Sequence, residues 1–365
     1  MSVSQRTYTS GSGSVIRFIS SDRYSSLHFF LHRLVHSLQS TKPIHIVDCT
    51  GELQSEQFKD FPSEFNQINQ VTALNEFWSD LNPHAKEWWS LLEITNKQAI
   101  ELPDFPGLRD IIILLEIARI IDLLSNKKEL IFILPSPDQA ARLLEMAQSG
   151  PRLIENFIEP ILNWWDNTKK SLSAVEALLR LKLPDSKQLR FNLEWRKRLE
   201  FLQIISKNRD QHHFIMIFDG LDSSHQSINH RLCLCGLHAA VPSHLLLCSG
   251  TKDLELQMQQ AIRQEWMYFS PLDQDNQKID IKRFIEQNKL TSSQPIYESN
   301  EKALTLFLPG INKSHISIKQ LGTMIYLIYS GKKRAIELPE SFKDLVCLKA
   351  SVDEWTLRMT FSLPN

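Results

Sequence analysis

Three histidines at helical spacing are the first residues in this chain whose types suggest chemistry. His28, His32 and His36 recur every four residues, so a helix would carry all three imidazoles on one face, the spacing of a two-histidine metal site. The surrounding helix residues include no Asp, Glu or Cys. A solvated polar helix face explains the same pattern, and we therefore expect no metal there.

A second, looser group combines cysteines and histidines. Its members are Cys233, Cys235, His238, His244 and Cys248. The spacing differs from that of a zinc knuckle, and residues 233 and 235 point to different sides of a helix. The sequence favours no metal here and leaves the role of the group open.

The stretch from Val15 to Cys49 predicts a strand, a turn, a helix and a second strand. Val15–Ile19 is apolar, Ser20–Ser26 is polar, and Ile44–Val47 is apolar again. Helical spacing relates the apolar residues between them, which are Leu27, Phe30, Leu31, Leu34 and Leu38. In such a unit an α/β protein usually binds phosphate at the N-terminus of the first helix.

The remaining pattern predicts an α/β fold with five or six parallel strands and helices on both faces. Further strands are expected at 129–134, 214–218, 243–248 and 266–269, and helices at 108–124, 190–206 and 226–238. Residues 52–100 have a helical, aromatic-rich pattern, and residues 140–183 are helical with breaks. Asp219 and Asp222 follow a strand, where we expect a turn and helix cap.

Composition changes near the C-terminus. Residues 291–300 form a polar linker, and residues 301–365 alternate in short strands typical of a β-sandwich. We therefore divide the chain into a disordered tail (1–14), an α/β domain with a helical subdomain (15–290), the linker and the β-sandwich.

Overall composition excludes several function classes. A formal charge of −1 over 365 residues gives no electrostatic case for binding nucleic acid. No run of about 18 apolar residues occurs, so we expect no integral membrane segment. Five scattered cysteines indicate a reducing compartment, and we expect a cytoplasmic protein.

The spacing from Val15 to Cys49 resembles that of the ArsA-type ATPases, the arsenical-pump and tail-anchored-protein targeting family. That family begins with a strand, the loop G-K-G-G-V-G-K-T, a helix and a strand. Residues 20–27 take the place of the loop and read S-S-D-R-Y-S-S-L. The degenerate phosphate-loop positions are Ser20, Ser21, Asp22, Arg23, Ser25, Ser26 and Leu27.

The resemblance implies catalytic groups that this chain lacks. The family's loop lysine falls on Ser26, its magnesium-binding threonine on Leu27, and its two switch aspartates on Gly51 and Ile133. Loss of the loop glycines and lysine removes about 3–5 kcal/mol, or about two to four orders of magnitude in affinity. We expect no cofactor. ATP with magnesium would bind only if the altered loop still binds nucleotide. The alternative for this segment is a plain β–α connection with Ser25 or Ser26 as N-cap.

The C-terminal residues resemble an α-crystallin (small heat-shock) domain, which also closes ArsA-type proteins of photosynthetic lineages. The ordered motifs are L-P-G, G, R-x-I-x-L-P, K-A and L-x-x-x-F over about the last sixty-five residues. An unrelated β-sandwich is the alternative.

The resemblance implies a degenerate pseudo-ATPase that binds hydrophobic client helices, such as tail-anchored membrane proteins, as a chaperone-like homodimer. The alternative is a weak ATPase, coupled to targeting or metalloid handling, that uses Arg23, Asp48 or Asp138. A third hypothesis is a structural partner of an intact family member.

Overall fold

The computed structural model describes residues 15–38, 42–61, 63–73, 107–150, 152–153, 167, 193–207, 212–219, 225–240, 242–248, 267–269 and 294–364. The predicted tail (1–14), the aromatic stretch from 74 to 106 and most of 154–192 lie outside the described residues.

Seven parallel strands form the larger sheet, in the order β3-β2-β4-β1-β5-β6-β7. The strands are β1 (Ile16–Ser21), β2 (Ile44–Asp48), β3 (Ser63–Gln67), β4 (Glu129–Ile133), β5 (His212–Asp219), β6 (His244–Cys248) and β7 (Met267–Phe269). The predicted α/β class is confirmed. The helical prediction was wrong at β3, an edge strand that pairs with β2 from Ile44↔Ser63 to Asp48↔Gln67.

Alternate residues of the central strands pack against opposite helix layers, as the period of a strand requires. Ile19, Ile46 and Ile131 face α1 (Tyr24–Ser37), which buries Phe30 and Leu34 on that side. The opposite face carries a larger apolar core, to which β-strand residues such as Phe18, Phe132 and Phe214 contribute. The parallel sheet is therefore buried on both faces by apolar packing.

In the described part of the chain, four helices cover the second face. They are α2 (Leu108–Leu124), α3 (Pro137–Ser149), α4 (Leu193–Lys207) and α5 (His225–Leu237). The predicted helices at 108–124, 190–206 and 226–238 are confirmed within three residues at each end. No helix in the described part of the chain is long and apolar enough to cross a membrane.

Two antiparallel sheets follow, one ordered β10-β11-β12 and the other β13-β14-β9-β8. Their strands are β8 (Ile296–Glu298), β9 (Ala303–Phe307), β10 (Ile316–Leu321), β11 (Met324–Tyr329), β12 (Lys332–Glu337), β13 (Val346–Asp353) and β14 (Thr356–Ser362). Alternate residues of β11 and β14 are buried, as the sequence pattern predicts. Strand β8 falls inside the stretch 291–300.

The antiparallel sheets contact the α/β part through α5. The guanidinium of Arg334 on β12 donates a 2.8 Å hydrogen bond to the carbonyl of Gly236 in the last turn of α5. Gly310 adopts φ +76°, and an added Cβ there would lie 2.0 Å from the carbonyl oxygen of Asn229. The Tyr329 hydroxyl lies 3.0 Å from Nδ1 of His230. Helix α5 therefore belongs to the α/β part and also contacts the antiparallel sheets.

Candidate functional site

A cleft of about 550 Å³ opens at the carboxyl edge of the parallel sheet. Strand β1 lies between β4 and β5 there, so the chain leaves β1 toward one face and β4 toward the other. Parallel α/β sheets bind ligands at such a reversal of strand order. Residues from the ends of β1, β2 and β4 and from the first turns of α1, α2 and α3 line the cleft.

The connection between β1 and α1 contains only two residues, Asp22 and Arg23. Arg23 is the N-cap of α1, without a side-chain capping bond, so the N-cap predicted at Ser25 or Ser26 was wrong. The Ser21 hydroxyl accepts a 3.3 Å bond from the N–H of Arg23 and donates a 2.9 Å bond to its carbonyl. The two hydrogen bonds of this hydroxyl stabilise the turn, and the sequence pattern did not reveal them.

The carboxylate of Asp22 is already bound within the protein. The backbone N–H of Asp219, the last residue of β5, donates to its Oδ1 at 2.9 Å. The guanidinium of Arg231, on α5, donates to its Oδ2 at the same distance. A backbone N–H and an arginine are the donors that phosphate uses in proteins. Two donors of the kind that bind anions thus hold the Asp22 carboxylate at the end of the sheet.

Burial raises the pKa of Asp22 above its ordinary value, although the Asp219 N–H and the charge of Arg231 both act to lower it. Desolvation of the carboxylate therefore outweighs its two partners.

The carboxylate of Asp219 binds the start of α1 from the other side. Its Oδ2 accepts a 3.2 Å hydrogen bond from the buried hydroxyl of Ser26 and lies 3.5 Å from Nη1 of Arg23. The sequence comparison predicted Ser26 at the place of a loop lysine, and its hydroxyl is hydrogen-bonded inside the protein. Residues 220–224 lie outside the described part, so the turn expected after Asp219 stays a prediction.

The other residues of the predicted phosphate loop do not lie together in the structure. Ser20 is buried and donates a 2.6 Å bond to the carbonyl of Pro135, Ser25 is exposed on α1, and Leu27 is buried in the apolar layer under α1. Only Ser21, Asp22, Arg23 and Leu27 of the seven line the cleft. Leu27 brings no oxygen that could ligate magnesium.

The carboxylate of Asp48 is fully engaged at the end of β2. It accepts hydrogen bonds from the N–H and hydroxyl of Thr50, at 2.8 and 2.7 Å, from the N–H of Leu53 and from the side chain of Gln67. This pattern is an Asx-type turn that closes the β2 loop. Gly51 follows with φ +76°. Asp48 is thereby a structural residue of this loop.

The two remaining candidate positions differ in exposure. Ile133, which the sequence comparison predicted at the place of a switch aspartate, is buried at the end of β4. Asp138 is exposed in the first turn of α3. Arg142 of α3 and Asp110 of α2, which both line the cleft, form a 2.8 Å ion pair. The described lining of the cleft carries three arginines and three carboxylates and so offers no net positive charge to a polyanion.

The histidines of α1 contact separate groups. The rings of His32 and His36 stack with centroids 4.3 Å apart, Nδ1 of His36 lies 2.7 Å from the carbonyl of His32, and Nε2 of His28 lies 3.1 Å from the carbonyl of Gln57. Burial and the neighbouring histidines lower the pKa of His32.

The cysteine and histidine group is divided by the sheet. Cys233 and Cys235 are buried in the core on the α5 side, whereas Cys248 packs on the α1 side. Burial raises the pKa of Cys233 to about 12 and that of Cys235 further, so both are thiols at neutral pH. His238 pairs at 2.7 Å with Glu145. Within the described ranges, no three His, Cys, Asp or Glu residues are grouped to hold a metal ion.

Arg231 is the residue of this site that sequence reasoning missed. It lies 209 positions from Asp22, in a helix with no local motif around it.

No model of a known protein family matches this chain, and a search of curated proteins finds no significantly similar one.

Proposed function

We propose that this protein is a degenerate ArsA-type pseudo-ATPase that binds hydrophobic segments as a chaperone-like factor. The observation that carries the proposal is the internal carboxylate of Asp22, bound to the Asp219 N–H and the Arg231 guanidinium at the edge of the sheet. A nucleotide phosphate in the cleft would meet the negative charge of this carboxylate, which lines it. The parallel sheet fits the scaffold of that family, and the missing hydrolytic groups fit a protein that binds without turnover.

The alternative of a weak ATPase needs Arg23, Asp48 or Asp138 to act on nucleotide. The Asp48 carboxylate is saturated by four hydrogen bonds, and Arg23 faces the carboxylate of Asp219. Asp138 is exposed in a helix N-terminal turn. These engagements favour the binding function over hydrolysis.

Exposed leucines on the antiparallel sheets support binding of apolar clients. Leu321 and Leu348 are 65% and 73% exposed. The side chain of Gln320 joins their strands through bonds to the carbonyl of Leu345 and the N–H of Cys347, both at 2.7 Å. Under this proposal the antiparallel sheets are the α-crystallin-like domain, and clients are transmembrane helices such as those of tail-anchored proteins. The five free cysteines support a cytoplasmic setting.

Aggregation of a synthetic single transmembrane helix, diluted from detergent and followed by light scattering, tests this function. We expect the full chain to suppress scattering at stoichiometric ratio. The double variant Leu321→Lys/Leu348→Lys should suppress it less, whereas Ile204→Lys, at a 59% exposed isoleucine of α4, should behave like the wild type. Unchanged scattering in the presence of the wild-type chain would reject client binding.

A further inference from the structure

A second cavity, of about 840 Å³, lies between the first two turns of α5 and the antiparallel sheets. The loop between β9 and β10 and the end of β11 form its other walls. We call this cavity the α5 pocket. Its volume falls in the upper part of the range of about 300–1,000 Å³ for small-molecule sites. Its polar lining includes Gln226, His230, Asn312, His315, Tyr329 and Ser330.

The loop between β9 and β10 is ordered by its own hydrogen bonds. Oδ1 of Asn312 accepts bonds from the N–H and the hydroxyl of Ser314, at 3.0 and 2.8 Å. The Asn312 carbonyl accepts a 3.0 Å bond from the N–H of His315. The side chains of Asn312 and His315 are themselves exposed. A ligand therefore meets a wall that is already shaped, which lowers the entropic cost of binding.

His230 offers the α5 pocket one ring nitrogen. Its Nδ1 lies 3.0 Å from the hydroxyl of Tyr329, and burial raises the pKa of Tyr329, so this hydroxyl keeps its proton at neutral pH. Nε2 of His230 makes no hydrogen bond within the described residues and is not one of their buried polar atoms without a partner, so it is open to solvent. Because a hydroxyl group both donates and accepts, a ligand hydroxyl can pair with Nε2 in either tautomer of the ring.

The lining of the α5 pocket carries no permanent charge. Among the described residues, no Asp, Glu, Lys or Arg lines it. A charged ligand would lose hydration there without meeting a fixed opposite charge. A wholly apolar ligand would cover the amide and imidazole groups and leave them without hydrogen bonds. The lining therefore disfavours both of these ligand classes.

We propose that the α5 pocket binds a neutral polyhydroxylated molecule of the size of a disaccharide. Its hydroxyl groups bond to Nε2 of His230, to the ring of His315 and to the side-chain amide of Asn312. This inference goes beyond the proposed function and does not depend on client binding.

Maltitol and maltobionate are matched probes for this assignment. Both join a glucose unit to an open carbon chain, which ends in a hydroxymethyl group in maltitol and in a carboxylate in maltobionate. We expect calorimetry on the full chain to detect maltitol at millimolar concentration and to give maltobionate an affinity about tenfold lower. His315→Ala should lower the affinity for maltitol about tenfold, since one hydrogen bond is lost. His36→Ala, at an exposed histidine of α1, is the matched control and should bind maltitol like the wild type.

Nitrogen-15 NMR of the histidine rings locates the bound probe without a variant. Saturating maltitol should shift the Nε2 resonance of His230 and leave that of His36 unchanged. The proposal is overturned by absent binding of maltitol, by equal or tighter binding of maltobionate, or by wild-type affinity in His315→Ala. An unmoved Nε2 resonance of His230 would place the probe elsewhere and would also overturn it.

Discussion

Asp22 and Asp219 stand at the ends of neighbouring parallel strands, and the backbone N–H of one donates to the carboxylate of the other at 2.9 Å. Ser21 pairs with Ile217 in this ladder, so the two residues close the β1–β5 pair at the edge where α/β proteins bind ligands. Arg231 completes the arrangement from α5. A carboxylate of the chain itself is thus held by donors that suit a bound anion.

Removal of that carboxylate should destabilise the fold. Asp22→Ala leaves the Asp219 N–H and the Arg231 guanidinium without their acceptor, and we expect a loss of about 1–3 kcal/mol in the free energy of unfolding. Urea denaturation followed by circular dichroism measures it. Asp344→Ala, at an exposed carboxylate, is the matched control and should stay within about 0.5 kcal/mol of the wild type. Equal stability of both variants would contradict the assigned role of Asp22.

The stability difference between wild type and Asp22→Asn should depend on pH. Because the folded-state pKa of Asp22 is raised, the native state binds its proton more tightly than the unfolded state. Wild-type stability should therefore rise relative to Asp22→Asn as the pH falls through the raised pKa toward the ordinary value of 3.8. Urea midpoints of both proteins between pH 7 and pH 4 measure this. A difference that stays constant, or that changes in the opposite direction, would show that desolvation does not dominate at Asp22.

Gly310 should tolerate no side chain. In Gly310→Ala the new Cβ meets the Asn229 carbonyl, and the left-handed backbone adds strain, so we expect a loss of roughly 2–5 kcal/mol. Gly322→Ala has φ +57° but open space around the Cβ, and it should lose only about 1–2 kcal/mol. Comparing the thermal unfolding of the two variants separates the effect of steric crowding at the new Cβ from that of strain in the left-handed backbone. Equal losses would mean that Gly310 does not pack against α5.

The Arg334 guanidinium should stabilise the contact between the antiparallel sheets and α5. Burial lowers the pKa of Arg334 to about 10, so its charge is largely removed from water, and its bond to Gly236 offsets part of that cost. Arg334→Met should lower the free energy of unfolding by about 1–3 kcal/mol and increase hydrogen exchange in the last turn of α5. Lys332→Met, at an exposed residue of the same strand, is the control. Unchanged exchange at α5 would refute the contact.

Periodic, locally encoded elements of the fold could be predicted from sequence. Helix α2 begins and ends at the predicted residues because its apolar face is continuous and Gly107 precedes it. Strand β3 was missed because its alternation is weak: it lies at the sheet edge, and only Ser63 and Phe65 are partly buried.

The candidate site was predictable only in part, since its central bonds join distant residues. The sequence shows that residues 20–27 contain no glycine and no lysine, and it places Asp22 directly after β1. It does not show that Arg231 and the Asp219 N–H bind that carboxylate, because these groups are 209 and 197 positions away. The roles of Ser26 and Arg23 likewise depend on Asp219, which only the folded sheet brings near.

Isothermal titration calorimetry with magnesium-ATP tests the central claim most directly. The protein should first be shown by light scattering to be folded and of defined size. Because the Asp22 carboxylate lines the cleft, bound to the Asp219 N–H and to Arg231, and Leu27 cannot ligate magnesium, we expect no binding heat at millimolar nucleotide. Saturable binding in the micromolar range would contradict the pseudo-ATPase and would make hydrolysis the first activity to measure.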